Sequence, residues 1–145
     1  PPRSTQGVSS AASDVYKRQI VNKQSKQYYS NLKTKGLKIL EPNKNSIDYI
    51  KEKAKETGDL DVLSLTDIKI LALGYELQGT IISDDFAIQN VSLYDGLEVI
   101  SCSGKKIKEI RKWKYRCSAC KLVTDEKSET CNICGSGDIF RIKAK

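Results

Sequence analysis

The chain has 145 residues, with 25 Lys and Arg against 18 Asp and Glu, five Cys, no Met and no His. That length holds one modest domain, or a small domain plus a metal- or disulfide-stapled module, and excludes two large domains. Without an imidazole, Ser-His-Asp and Cys-His nucleophile systems, His-ligated zinc proteases and His-based acid–base catalysis are excluded, so carboxylates, Lys or a metal must carry any reaction.

Residues 1–19 are rich in Ser and Ala and show neither helical nor strand periodicity. The run from Ser9 to Gln19 resembles translated sequencing-adaptor read-through, and no Met opens the chain. The expectation is an artefactual or disordered segment, with native sequence starting near Ile20 and the natural start missing. It lacks the apolar centre of a secretory signal, and no run approaches the ~20 apolar residues that span a bilayer, so a cytoplasmic protein with no membrane partner is expected.

From Ile20 to about Thr34 the chain is polar and Lys-rich, with Tyr28, Tyr29 and Leu32 spaced for one face of a short helix. Gly36 ends it, and Leu37 to Leu40, bounded by Gly36 and Pro42, reads as a strand. Ser46 is the expected cap of a second helix, with Ile47, Ile50 and Ala54 inward and Gly58 as its stop. Ser64-Leu-Thr-Asp67 reads as a capping box opening a third helix, with Ile68, Leu71, Ala72 and Tyr75 on one face and Gly79 past its end. Leu73 and Leu77 make this helix apolar on most sides, which predicts burial and an inner parallel strand over residues 80–82. A helix from about Asp84 to Tyr94, the turn Asp95-Gly96 and a strand from Leu97 to Ile100 complete an alternating α/β order. Cys102, at the end of that strand, reads as a small buried hydrophobe.

After Gly104 the composition changes. Residues 104–145 hold 12 basic and 5 acidic side chains, whereas residues 1–103 hold 13 of each, so the whole formal net charge of +7 belongs to the C-terminal part. Domain limits of 20–103 and 104–145 follow, and an anionic partner, nucleic acid being the common one, is expected for the second. Cys117-x-x-Cys120, ten intervening residues and Cys131-x-x-Cys134-Gly135 have the paired-knuckle spacing of a structural zinc site. Two residues between Cys let both thiolates reach one ion from a tight turn, and four thiolates leave zinc no open position. An iron centre or a redox pair are the alternatives. Expected strands at 113–116 and 139–142 make the module a zinc ribbon.

The approach to it, Lys105, Lys106, Lys108, Arg111, Lys112, Trp113, Lys114, Tyr115 and Arg116, interleaves basic and aromatic residues with one acid, Glu109. A solvated strand pair would show this pattern; so would a stripe that binds phosphates and stacks unpaired bases, as single-stranded RNA recognition uses. Asp59, Asp61, Asp67, Asp84 and Asp85 fall near helix starts, where caps and first turns favour acids. Asp67 and Asp85 also fall at the edge where open α/β sheets form sites, and carboxylates there suit Mg²⁺ or Mn²⁺.

The segments Thr57 to Leu73, Ser83 to Val91, Arg116 to Cys120 and Cys131 to Gly135, in this order, resemble the NIN-one-binding protein family, archaeal in type. The resemblance runs from Ile20 to the C-terminus. It implies a PIN nuclease domain, with parallel sheet and flanking helices, followed by a zinc ribbon. It further implies a metal-dependent endoribonuclease of ribosome biogenesis that matures the 3′ end of small-subunit rRNA in the pre-ribosomal particle. Two of the family's active-site acids match Asp67 and Asp85; Asp84 ranks below Asp85, and Asp59 is a supporting residue. Two departures accompany it: the family's first acid lies in a strand expected before Ile20, and its second, a Glu, aligns with Gln19. The resemblance thus implies a truncated chain whose activity is in doubt, and a non-catalytic zinc-ribbon protein that binds RNA or the pre-ribosome is the alternative.

Overall fold

The computed structural model describes residues 23–144. The expected adaptor-like segment, Gln19 and the side chains of Tyr28 and Tyr29 lie outside the described residues. The described residues open with helix α1 (Lys23–Thr34), followed by α2 (Lys44–Thr57) and α3 (Leu65–Leu77). Residues 37–43 between α1 and α2 form no strand, which corrects the reading of Leu37 to Leu40: no strand among the described residues pairs with them. The cap of α2 is Asn43 instead of Ser46. Asn43 is extended, and its Oδ1 accepts the Ser46 N–H at 2.9 Å, which places Ser46 inside the first turn. Gly58 closes α2 in the left-handed region at φ 75°, as its sequence position required.

Helix α3 opens on the expected capping box, with Ser64 and Asp67 bonding each other's backbone N–H. It runs into strand β1 (Ile81–Ile82), which pairs in parallel with β2 (Val99–Ile100) across helix α4 (Phe86–Tyr94). Gly74 lets α3 lie close on the sheet, since a Cβ there would meet the Ile81 side chain at 2.6 Å. Ile50 and Ala54 of α2, Ile68, Leu71 and Ala72 of α3, and Ile88 and Val91 of α4 bury against Ile81, Leu97 and Val99 as one core. Among the described residues this sheet has two strands, and Ile82 and Ile100 point outward, 64% and 50% exposed. Among the described residues, β1 has a strand neighbour on one side only. Cys102 is exposed, because the chain leaves β2 at Ile100 and bends away through 102–104.

The C-terminal part is a three-stranded antiparallel sheet, ordered β4 (Val123–Thr124), β3 (Trp113–Cys117), β5 (Ile139–Lys143). The expected strand pair is present, and β4 is an additional strand between the two knuckles. Among the described residues no helix is long and apolar enough to cross a membrane.

Candidate active site and metal centre

The four ribbon cysteines gather with all sulfurs within 4.8 Å of one another. Cys117 Sγ lies 3.6 Å from Cys134 Sγ, and Cys120 Sγ lies 3.5 Å from Cys131 Sγ. A tetrahedral thiolate site with metal–sulfur bonds of ~2.3 Å spaces its sulfurs about 3.8 Å apart, so the cluster fits one ion. The two knuckles close identically. Lys121 N–H reaches Cys117 O and Gly135 N–H reaches Cys131 O, at 3.1 and 2.8 Å, and both Lys121 and Gly135 take a left-handed φ, 65° and 71°. The Cys120 N–H pulls the Cys117 thiol down to about 6, and the N–H groups of Cys134 and Ile133 lower Cys131. Cys120 has the Leu122 N–H favouring its thiolate, yet its sulfur neighbours, Cys131 first, push it up to about 12. Four adjacent thiolates cannot all ionise unless a cation sits between them.

The carboxylates lie at the other end of the molecule's logic, on helix starts. Asp67 Oδ2 accepts the Ser64 N–H at 2.8 Å and the Ser64 hydroxyl at 2.7 Å. Asp85 is the N-cap of α4, its Oδ1 accepting the N–H groups of Ala87 and Ile88 at 2.7 and 3.2 Å. In each case the cap orients the carboxylate and leaves its second oxygen without a hydrogen bond among the described residues. Because a three-residue connection turns α3 back into β1, and α4 starts just beyond β1, both helix N-termini face the carboxyl edge of the β1–β2 pair. Asp84 is at that edge but differently engaged. Its Oδ1 accepts the Ser101 hydroxyl at 2.6 Å and the Ser103 N–H at 3.1 Å, tying the ends of β1 and β2 together. Those bonds, that of Ser101 first, hold its carboxyl below the usual range. Among the described residues, no trio of carboxylates is close enough to share an ion as the cysteines are.

Asp59 is elsewhere. Its carboxylate is 1% exposed and fully engaged: Oδ1 faces the Arg141 guanidinium and Oδ2 accepts Asn90 Nδ2 at 2.6 Å. Arg141 Nη2 also donates to Gly58 O at 2.9 Å, and Tyr115 Oη donates to Asp61 at 2.7 Å. Thr57-Gly-Asp59 is thus the place where β5 and β3 dock on the end of α2. A Cβ at Gly58 would come within 2.5 Å of the Trp113 carbonyl oxygen, so only Gly fits there.

This docking corrects part of the basic stripe. Tyr115 is 5% exposed, and burial first, then the Asp61 bond, pushes its phenol up to about 12; it cannot stack on a base. Trp113 is half-buried with the Arg141 guanidinium 4.4 Å from its ring centroid. Lys114 pairs with Asp125 at 2.9 Å, and Lys112 Nζ lies 5.2 Å from the Tyr94 ring centroid. Arg116 is partly buried. Lys105, Lys106, Lys108, Arg111 and Lys112 are exposed. Residues 105–112 are not a strand but are held by two buried amides of α4 that the sequence reading passed over. Gln89 Nε2 donates to both Ser83 O and Lys105 O at 3.0 Å, and Gln89 Oε1 accepts the Ile107 N–H. Asn90 bonds both the N–H and the C=O of Arg111, as a neighbouring strand would. Their signal was two uncharged polar residues inside an apolar helix.

With this geometry in place, comparison with known proteins is informative. The family described as PIN domain of ribonuclease matches residues 10–77. "Endoribonuclease Nob1" of Pyrococcus abyssi is 33% identical over 121 residues, covering 81% of this chain and 74% of that protein. The chain belongs to the Nob1 endoribonuclease family. "Ribonuclease VapC1" of Thermoplasma acidophilum is 37% identical over 99 residues, 68% of this chain, and the match spans only 51% of that protein's length. The "20S-pre-rRNA D-site endonuclease NOB1" of Saccharomyces cerevisiae is 43% identical over 53 residues, 37% of this chain and 12% of its own. Membership in the Nob1 family agrees with the α/β layer followed by a Cys-clustered antiparallel sheet.

Proposed function

We propose that the protein is a metal-dependent endoribonuclease that matures the 3′ end of small-subunit rRNA within the cytoplasmic pre-ribosomal particle. The observation that carries this reading is the Gln89 side chain. By bonding Ser83 O and Lys105 O together, it holds the start of the basic segment beside the edge that carries Asp84 and Asp85. The free oxygens of Asp67 and Asp85 would hold Mg²⁺ or Mn²⁺, and Asp84 would keep the two strand ends in place around them. Such an ion supplies activation of water and charge neutralisation at the phosphate. Lys105, Lys106, Lys108, Arg111 and Lys112 bind the phosphates that flank the reacting one, and the four cysteines hold structural Zn²⁺.

The test is cleavage of an RNA spanning the small-subunit 3′ end by the intact, zinc-loaded protein with Mn²⁺ or Mg²⁺. Asp85→Asn retains a good N-cap residue while removing the charge, so it should fold normally and lose cleavage; unchanged cleavage refutes the assignment. One observation favours a second reading, a non-catalytic ribbon that binds RNA or the pre-ribosome: among the described residues only the cysteines cluster tightly enough to hold an ion. Salt-sensitive RNA binding without cleavage by the intact protein would establish it.

A further inference from the structure

One cavity opens where the start of α4, the basic segment and the ribbon meet. Phe86, Asn90, Ile107, Arg111, Trp113 and Arg141 are among the residues that line it, and its volume is about 80 Å³. By the measure in which one water needs ~10–15 Å³, this is room for about six waters, and the cavity is open to solvent at one side. The lining is unusual for a packing gap. Phe86, the first residue of α4 and covalently next to Asp85, is 54% exposed although it is among the largest apolar side chains in the protein. Trp113 lies against a guanidinium on the other side, and base stacking on such aromatic and Arg surfaces is how unpaired RNA is commonly gripped. The Arg111 guanidinium has no carboxylate partner among the described residues, because Glu109 is taken by Lys143 at 2.6 Å. Arg141 Nε is buried with no acceptor, although its Nη2 is well satisfied. The cavity therefore combines aromatic surface with the positive charge of Arg111. Asn90 and Asp59, its other polar walls, are already committed to each other and to the backbone.

We propose that this cavity is a nucleobase subsite: it takes one unpaired base of the RNA, next to the phosphate presented to Asp67 and Asp85, between Phe86 and Trp113. Arg111 meets the adjoining phosphate. Stacking one base here explains how a protein with a generic basic stripe fixes which phosphate reaches the carboxylate edge. The proposal rests on the endoribonuclease reading for its substrate, but it is a statement about base binding and can be read without cleavage.

Trp113 is the only Trp in the chain, so its fluorescence reports on this cavity directly. The zinc-loaded protein, without Mg²⁺ or Mn²⁺ to prevent cleavage, is titrated with a fluorescein-labelled single-stranded hexaribonucleotide. Binding is followed by the label's anisotropy, and in parallel with unlabelled RNA by Trp113 emission. Expected is quenching of Trp113 that saturates with the anisotropy curve, and about tenfold weaker binding for Phe86→Ala. Phe86→Leu, which keeps the apolar bulk, should fold as well as the wild type and still lose most of the affinity. Arg111→Ala should weaken binding and leave the quenching at saturation unchanged. If anisotropy rises while Trp113 emission stays constant, or Phe86→Leu binds as wild type, the subsite is overturned and RNA binding through the basic stripe stands. If anisotropy does not rise at all, RNA recognition itself fails and the subsite falls with it.

Discussion

The junction at Asp59 offers a quantitative test of how the ribbon is held to the helical part. Asp59→Ala removes two contacts to a charged acceptor, from Arg141 and from Asn90 Nδ2, and leaves both donors without that partner. Hydrogen bonds to a charged group contribute about 1.5–3 kcal/mol each. Breaking one side of a buried pair costs about 3–5 kcal/mol. The lower end applies here, because the Arg141 side chain is 26% exposed and keeps its bond to Gly58 O. The expected loss is about 3 kcal/mol. Arg141→Met should cost a similar amount, since it strands a carboxylate that is 2% exposed. The double variant should lose less than the sum, with a coupling of about 1.5–2 kcal/mol.

The measurement is urea denaturation of the zinc-loaded protein, followed by Trp113 fluorescence for β3 and by far-UV circular dichroism for the helices. The wild-type curves should coincide, because the clamp joins the end of α2 to β5; in Asp59→Ala they should separate. A loss below about 1 kcal/mol, or additive single variants, would show that Asp59 and Arg141 merely touch and that apolar packing does the joining.

Removing the metal should be more severe. Each chain is expected to bind one Zn²⁺, and chelation should red-shift Trp113 emission as β3, β4 and β5 come apart, a change that spectroscopy follows directly. Gly58→Ala combines a left-handed φ of 75° with a backbone clash against Trp113 O, and should lose more than about 2 kcal/mol in the same urea assay. Lys121→Gly relieves a left-handed φ of 65° in the first knuckle and should raise the unfolding free energy by about 0.5–1 kcal/mol. Absorbance at 295 nm should show Tyr49 and Tyr115 titrating near 12 instead of 10. The Asp95 hydrogen bond raises the first; burial and then the Asp61 bond raise the second. With folded values above unfolded ones, what these phenols add to stability is complete below pH 10 and is lost as pH rises through about 12.

What could be read in the sequence depended on how local the causes are. The capping box of Ser64 and Asp67, the Asp85 start of α4, the Gly58 stop and the two cysteine knuckles are set by contacts within a few residues, and each stands where its spacing placed it. Leu37 to Leu40 has strand composition but no pairing strand among the described residues, and composition does not report on partners. Ser46 has the composition of a cap, but Asn43, three residues earlier, has it too. The extended backbone after Pro42 decides for Asn43. Cys102 is exposed instead of buried because apolar neighbours in sequence say nothing of the bend that follows. The largest gap concerns Asp59. Its Thr-Gly-Asp setting read as part of an acidic constellation, yet its partners lie 31 residues away at Asn90 and 82 away at Arg141. No periodicity encodes such a meeting; the polar pair Gln89-Asn90 inside a buried helix was the only visible trace.

That polar pair also changes the meaning of the charge distribution. A segment with seven basic residues and one acid between Lys105 and Arg116 would, if solvated as a strand, offer charge without position. Instead the backbone of residues 105–111 is bonded to α4 through side-chain amides that satisfy N–H and C=O groups as a strand would, while the Lys and Arg side chains remain outside. The same helix carries Asp85 at its first turn and Asn90 at the ribbon junction. One nine-residue element thus fixes the distance from the carboxylate edge to the exposed Lys and Arg side chains, and from both to the cysteine-clustered ribbon. The neutral and the basic parts of the chain are in this sense one continuous surface, with α4 as its ruler.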